Sequence, residues 1–264
     1  MPIVSVATAN LLHGMSLRTG EADPAVLGEA MAALSADVVG LQEVDFCQDR
    51  SGGTDQTAVA AQAIGATERR FVPTVIGTPG RSGWRGAREA DVALAGTPSY
   101  GIALVSRLPV LQWSVRRFRA APVPFPLVLP AVPRARVGLV PDEPRAAIAA
   151  VVQTAAGPMT VVTCHLSFVP GVNVWQLRAI ASWLRSMPAP RVLLGDLNLP
   201  GGLPARVSGL SSLVREATYP SPQPRVQLDH VLGDGQAAGA VRSAGAQLLP
   251  VSDHRALRAE LELG

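Results

Sequence analysis

The chain has 264 residues, of which 48% are hydrophobic and 16% charged, which excludes a disordered chain and allows a substantial buried core. Its 23 basic residues are all arginine and face 20 acids, and the resulting net charge of +3 is too small to indicate a nucleic-acid partner by itself. Two cysteines, Cys47 and Cys164, form neither a disulfide framework nor a CxxC zinc motif, and no apolar run reaches the roughly 20 residues of a bilayer span, so a cytoplasmic protein is expected.

Ile3 to Asn10 is apolar and β-prone. The start, MPIVSVATANLLHG, lacks a basic n-region and carries Asn10 and His13 where a leader would be apolar, so it reads as a buried strand. Asp23 to Leu34 predicts a helix with Asp23 as cap and Pro24 in the first turn. DVVGLQEVD, Asp37 to Asp45, reads as a buried strand ending in polar residues, and Gln56 to Ala63 as a short helix. Gly77 to Pro98 is rich in glycine, arginine and proline without periodicity, which predicts a surface loop over or beside a site. Tyr100 to Ser106 resumes the strand pattern. Val115 to Pro144 holds seven prolines and predicts an edge ribbon or long loop. Ala146 to Thr154 and Met159 to Leu166 read as a hairpin turning at Gly157 and Pro158. Val172 to Met187 has helical spacing in Val174, Leu177, Ile180, Ala181 and Leu184. Strands are expected at Arg191 to Leu194, Gln227 to Leu232, Val241 to Leu248 and Ala256 to Leu263. With no linker, composition shift or repeat, one α+β domain over residues 1–264 is expected.

The rare polar residues terminate apolar strands, from where side chains converge at one sheet edge. They are Asn10, Gln42 and Glu43, His165 in VVTCHLS, Asp196 and Asn198 in LLGDLN, Asp229 and His230 in QLDHVL, and Asp253 with His254 in VSDH. All four histidines of the chain lie in or next to these clusters. An aspartate after a strand is often only a turn former or helix cap, so the argument rests on the combination. Glu43 and Asp253 brought together would repel unless a cation or proton intervened. Carboxylates and amides without a cysteine-histidine cage suit oxygen-ligated magnesium, with manganese as a substitute, which serves phosphate-ester chemistry.

The ordered series N, LQE, YG, SR, HL, GDLN, LDH and SDH, from Asn10 to His254, resembles the endonuclease/exonuclease/phosphatase superfamily. The resemblance implies a deoxyribonuclease-I-like fold, a four-layer α/β/β/α sandwich of two packed mixed sheets flanked by helices. It implies divalent-metal-dependent hydrolysis of phosphate esters, as a phosphodiesterase, nuclease or phosphatase. Glu43 resembles the principal metal ligand, with Asn10 and Asp253 around it. His254 resembles the general base oriented by Asp229, Asp196 and Asn198 the pair that positions water and a phosphate oxygen, and His165 the histidine that binds phosphate or protonates the leaving oxygen. The chain departs from the pattern at Cys164, Leu197, Ile102 and His230, where the family more often has threonine, phenylalanine, asparagine and an aromatic; these look like packing changes. His230 alternates away from Asp229 and reads as a core or interface histidine.

Among the arginines, Arg107 reads as structural, while Arg50 with Asp55, and Arg145 in DEPR, serve ion pairs at least as well as phosphate contacts. Trp84 with Arg81, Arg85 and Arg88 could meet substrate from the Gly77 to Pro98 loop, and Arg85 is the substrate-binding candidate there. Nucleic acid, phospholipid and inositol phosphate stay open as substrates. Scattered arginines disfavour duplex DNA, and the apolar PVPFPLVLPAVP between basic flanks allows peripheral membrane contact, although an edge ribbon packed on the sandwich is the plainer expectation. The contrasting class, a non-catalytic binding module on the same fold, is disfavoured because Glu43, Asp196, Asp229 and Asp253 are all present. No obligate protein partner is evident.

Overall fold

A computed structural model describes residues 1–93, 96–129 and 136–264. The chain opens with β1 (Ile3–Asn10) and α1 (Pro24–Leu34), whose cap Asp23 accepts a hydrogen bond from the Ala25 amide. β2 (Val38–Phe46) leads to α2 (Gln56–Ile64), capped by Asp55. Then come β3 (Glu68–Ile76), the short β4 (Arg85–Gly86), β5 (Ser99–Ser106), β6 (Val110–Phe118), and a ribbon of β7 (Phe125–Leu129) and β8 (Arg136–Val140). β9 (Arg145–Thr154) and β10 (Gly157–His165) precede α3 (Val172–Arg185), β11 (Arg191–Asp196) and α4 (Leu203–Ser208). The chain finishes with β12 (Ser211–Ser212), β13 (Asp229–Gly233), α5 (Gly235–Gly239), β14 (Val241–Gln247) and β15 (Ala256–Glu262).

Two mixed sheets carry the fold, one ordered β14-β15-β1-β2-β5-β3-β4 and the other β12-β13-β11-β10-β9-β6. Their facing sides share a core of alternate apolar residues, among them Val6, Val38, Leu104, Ile148, Val161, Leu194 and Leu257. Leu27, Met31 and Leu34 of α1 and Ile64 of α2 cover the outer face of the first sheet. Leu177, Ile180 and Leu184 of α3 cover that of the second. This is the expected four-layer sandwich. β1 packs over β11, β2 over β10 and β5 over β9, so the strand ends of both sheets meet along one edge.

The departures lie mainly in polar strands and loops. β3 and β6 were not anticipated: β3 mixes Glu68, Arg69 and Arg70 with a bulge at Pro73, and β6 is an edge strand that exposes Leu111. The Val115 to Pro144 segment therefore starts as an ordered edge strand. Its ribbon, β7 with β8, pairs only with itself among the described residues and exposes Val137 and Leu139 at 70% and 74%, so it does not pack as a further strand on the sandwich. The β9–β10 turn falls at Ala155–Ala156, two residues ahead of the expected pair. Residues 94–95 of the Gly77 to Pro98 loop and 130–135 of the proline-rich run lie outside the described residues.

Candidate functional site

Strand register assembles the first part of the site. β10 and β11 run parallel with His165 opposite Asp196, and β13 runs antiparallel to β11 with Asp229 opposite Asp196, so three side chains line up across neighbouring strands. Gly195 has φ 143°, and a Cβ there would collide with the Cys164 carbonyl oxygen, so only glycine permits this close approach. Asn198 turns back with its amide nitrogen 2.9 Å from Asp196 Oδ1, while its side-chain Nδ2 donates to the Leu166 carbonyl at 2.9 Å and lies 3.4 Å from His165 Nε2. His254 arrives from the turn before β15, its Nδ1 2.7 Å from Asp229 Oδ2 in a buried pair. The Tyr219 ring packs on the imidazole with centroids 5.0 Å apart.

The second part comes from the other sheet. A β-bulge sets Gln42 and Glu43 together opposite Ile102, with Glu43 at φ 55°. Gln42 turns inward, accepting from Thr8 Oγ1 at 3.1 Å and donating to Thr163 Oγ1 at 3.0 Å, which bridges the sheets beneath the site. Glu43 turns to the cleft. Asn10 Nδ2 donates to Glu43 Oε1 at 3.0 Å and to Asp196 Oδ2 at 3.1 Å, while its Oδ1 accepts from the Leu12 amide at 3.0 Å. Asn10 thus ties two carboxylates from opposite sheets. Asp253 Oδ1 lies 4.0 Å from His254 Nε2. Glu43, Asn198 and Ser252, the residue before Asp253, all have positive φ, a backbone cost that functional sites concentrate.

Burial and crowded charge set the electrostatics. Burial raises Glu43 above the usual carboxylate range; the Asn10 hydrogen bond and His254 oppose this, and Asp253 and Glu143 add to it. Burial also pushes Asp196 up to about 7, helped by Asp229 and opposed by His254. For His254 burial works against protonation, but the charge and hydrogen bond of Asp229, then Asp196 and Asp253, lift it to about 10. Burial and Arg145 hold His165 well below its usual value, so it stands as a neutral imidazole. Cys164 is buried with its thiol pushed upward, as an inert side chain.

Glu43, Asp196, Asn198, His165, Asp253 and His254 all line one cleft of about 560 Å3. Its lining also holds Tyr100, Glu143 and Phe168, to which sequence reasoning gave no role, together with Arg145 and Arg50, which it weighed between ion pairs and phosphate contacts. Arg50 pairs with Asp45 through bonds of 2.7 and 2.8 Å, not with Asp55, which caps α2. Arg107 donates to the Ile64 carbonyl and is structural. Arg85 does not line the cleft: its guanidinium is held by Asp91 at 2.7 and 2.8 Å within the loop. His230 is wholly buried, its Nε2 2.9 Å from the Leu199 carbonyl oxygen, as a core histidine.

The donor set fits a hard divalent cation. Glu43 offers an oxygen with no hydrogen-bond partner among the described residues, and Asp253 adds negative charge beside it. Asp196, Asp229 and His254 also bring ligand atoms within 4.8 Å of one another, but Nδ1 of His254 is already engaged by Asp229, which leaves the Glu43 side better suited.

A two-sheet sandwich with carboxylates, amides and histidines gathered on one edge defines a phosphoesterase-like protein of the deoxyribonuclease-I-like fold. Residues 7–254 match the Endonuclease/Exonuclease/phosphatase family, and the chain belongs to it. An endonuclease/exonuclease/phosphatase from Beutenbergia cavernae DSM 12333 is similar at TM-score 0.68 and 20% identity, covering 100% of this chain and 72% of that one. Sphingomyelinase C from Streptomyces griseocarneus is similar at TM-score 0.59 and 18% identity, covering 99% and 100%. Mannosyl-6-phosphatase from Bacteroides thetaiotaomicron VPI-5482 is similar at 0.60 and 13%, covering 98% and 99%. At these identities the likeness is one of fold. No curated protein matches the chain in sequence.

Proposed function

We propose that the chain is a divalent-metal-dependent phosphoesterase, acting as one catalytic domain by in-line attack of water on a phosphate ester. The carrying observation is the row His165–Asp196–Asp229 with His254 anchored on Asp229. Glu43 and Asp253 would hold magnesium, or manganese in its place, with Asn10 orienting Glu43. Such a cation, when bound, supplies positive charge that neutralises a phosphate oxygen.

The chain's own groups do the rest. Asn198 presents its amide to a second phosphate oxygen, and Asp196, which fixes the Asn198 backbone, orients the water. Asp229 holds Nδ1 of His254, so Nε2 faces the cleft and exchanges a proton with that water. Burial, then Asp229, raises Asp196, while Asp229 and then Asp196 raise His254 against its own burial, so the proton acceptor is the interacting unit Asp196–His254–Asp229. Neutral His165 beside Asn198 hydrogen-bonds the phosphate near the leaving oxygen. This reading gives Arg85, paired with Asp91 and outside the cleft lining, no role.

Contact with a lipid surface is a second reading, favoured by the exposed Val123, Val137 and Leu139 around a ribbon whose Leu127 borders the cleft. Among the described residues no helix is long and apolar enough to cross a membrane. With both cysteines free, the reading keeps a cytoplasmic site of action.

The test is hydrolysis of bis-p-nitrophenyl phosphate with magnesium or EDTA by wild type, Asp196→Ala and His254→Ala. Turnover that needs metal and falls by orders of magnitude in both variants supports the reading; near-normal activity in both sinks it.

A further inference from the structure

Glu143 and Arg145 reach the cleft from the turn Asp142-Glu143-Pro144-Arg145. Asp142 is buried and committed to structure: Oδ2 accepts from the Ala121 amide and from Ser167 Oγ, both at 2.8 Å, and Oδ1 lies 3.5 Å from Arg145. Pro144 sits against Gly86, where a Cβ would come within 2.8 Å of its ring, so the turn is clamped from the loop side as well. Between these two anchors, Glu143 lines the cleft and has no hydrogen bond or ion pair among the described residues.

Its surroundings narrow what it can take. Arg145 is 5% exposed, borders the cleft, packs its guanidinium 5.9 Å from the Phe168 ring centroid, and leaves Nε buried without a partner among the described residues. Arg50 is already neutralised by Asp45 and lies against the Tyr100 ring. The wall therefore presents one free acceptor, one under-used cationic donor and two aromatic faces. A cationic head group would meet Arg145. A second phosphate would meet the negative charge of Glu143, which also acts on Glu43. Burial raises Glu143, with Arg145 drawing it back, which agrees with a carboxylate held in a confined place beside that arginine.

We propose that Glu143 is a specificity residue that selects phosphate esters of neutral, hydroxyl-rich alcohols, a sugar or polyol phosphate, by accepting a hydrogen bond from a substrate hydroxyl while Arg145 donates to its neighbour. The inference rests on the phosphoesterase reading above. Glu143 touches the alcohol portion and takes no part in the bond-breaking step.

Two matched pairs of esters test this: p-nitrophenyl phosphate with glucose 6-phosphate, and bis-p-nitrophenyl phosphate with glycerophosphoinositol. Glu143→Ala is expected to raise KM for the polyol ester of the hydrolysed pair about 10- to 100-fold, the worth of a hydrogen bond to a charged group. Its kcat on that ester and its kcat/KM on the aryl ester should stay within about threefold of wild type, on the same reasoning. Glu143→Gln, which keeps an acceptor, should lose less than alanine. Inositol hexakisphosphate should inhibit Glu143→Ala more strongly than wild type, because one repelling charge is gone. Equal losses on aryl and polyol esters, or an unchanged KM, overturn the role of Glu143. So does hydrolysis of aryl esters with neither polyol ester accepted. Silence of the wild type toward all four esters with magnesium refutes the phosphoesterase reading itself, and the inference with it.

Discussion

Replacing Asp229 with asparagine removes the charge behind His254 while keeping the shape of the side chain. Asp229 Oδ2 sits 2.7 Å from Nδ1, both groups are buried, and Asp229 does not border the cleft. Losing a correctly oriented proton acceptor costs roughly 10²–10⁴ in rate, which at about 1.4 kcal/mol per decade is about 3–5 kcal/mol of barrier. Since the lost group lies behind the ring, the loss should fall on kcat with KM little changed. The Tyr219 ring still packs against the imidazole at a tilt of 49°, so the site should not collapse. Steady-state hydrolysis of bis-p-nitrophenyl phosphate, alongside thermal unfolding to establish that the variant is folded, reads this directly. A folded Asp229→Asn enzyme with kcat within about tenfold of wild type would refute the orienting role, because even the low end of the estimate exceeds that.

Three further outcomes follow from the same geometry. Glu43→Gln should abolish the magnesium-induced rise in unfolding temperature, which for a site at 100 times its Kd is worth about 2.7 kcal/mol; an undiminished shift would place the cation elsewhere. His230 is buried with its pKa lowered by desolvation, so protonation favours the unfolded chain, and the stability it permits is present above its unfolded value near 6.5 and lost as pH falls below it. His230→Phe should therefore flatten the decline of Tm with pH below about 6.5, and parallel curves for the two proteins would contradict this. Val137→Asp combined with Leu139→Asp should weaken sedimentation with phospholipid vesicles if the ribbon meets a lipid surface, and unchanged binding would remove that reading.

Elements whose logic is local were legible in the amino-acid sequence. β1 was read to the residue, α1 and α2 were marked by Asp23-Pro24 and by the apolar spacing, and the polar ends of β1, β2, β10 and β11 pointed to one edge. What sequence periodicity could not reach was anything decided by a distant partner. Arg50 pairs with Asp45, while Asp55 caps α2. Arg85 was taken by Asp91 once the loop closed on itself. Glu143 sits between prolines in a turn with no period, and only the anchoring of Asp142 on Ala121 and Ser167 aims it into the cleft. β3 and β6 were hidden because bulges and edge exposure replace the alternation that marks a strand. Asn10 was found, but its amide orientation depends on the Glu43 bulge and on Asp196, far away in the chain.

The most direct test of the account is one hydrolysis panel with purified protein: plasmid DNA, single-stranded RNA, sphingomyelin vesicles, inositol polyphosphates, glucose 6-phosphate and bis-p-nitrophenyl phosphate, each with magnesium or EDTA and with Asp196→Ala as control. The account predicts magnesium-dependent cleavage of at least one ester that disappears in the variant. Cleavage that persists in EDTA or in Asp196→Ala, or no cleavage at all while magnesium still raises the unfolding temperature, would contradict it.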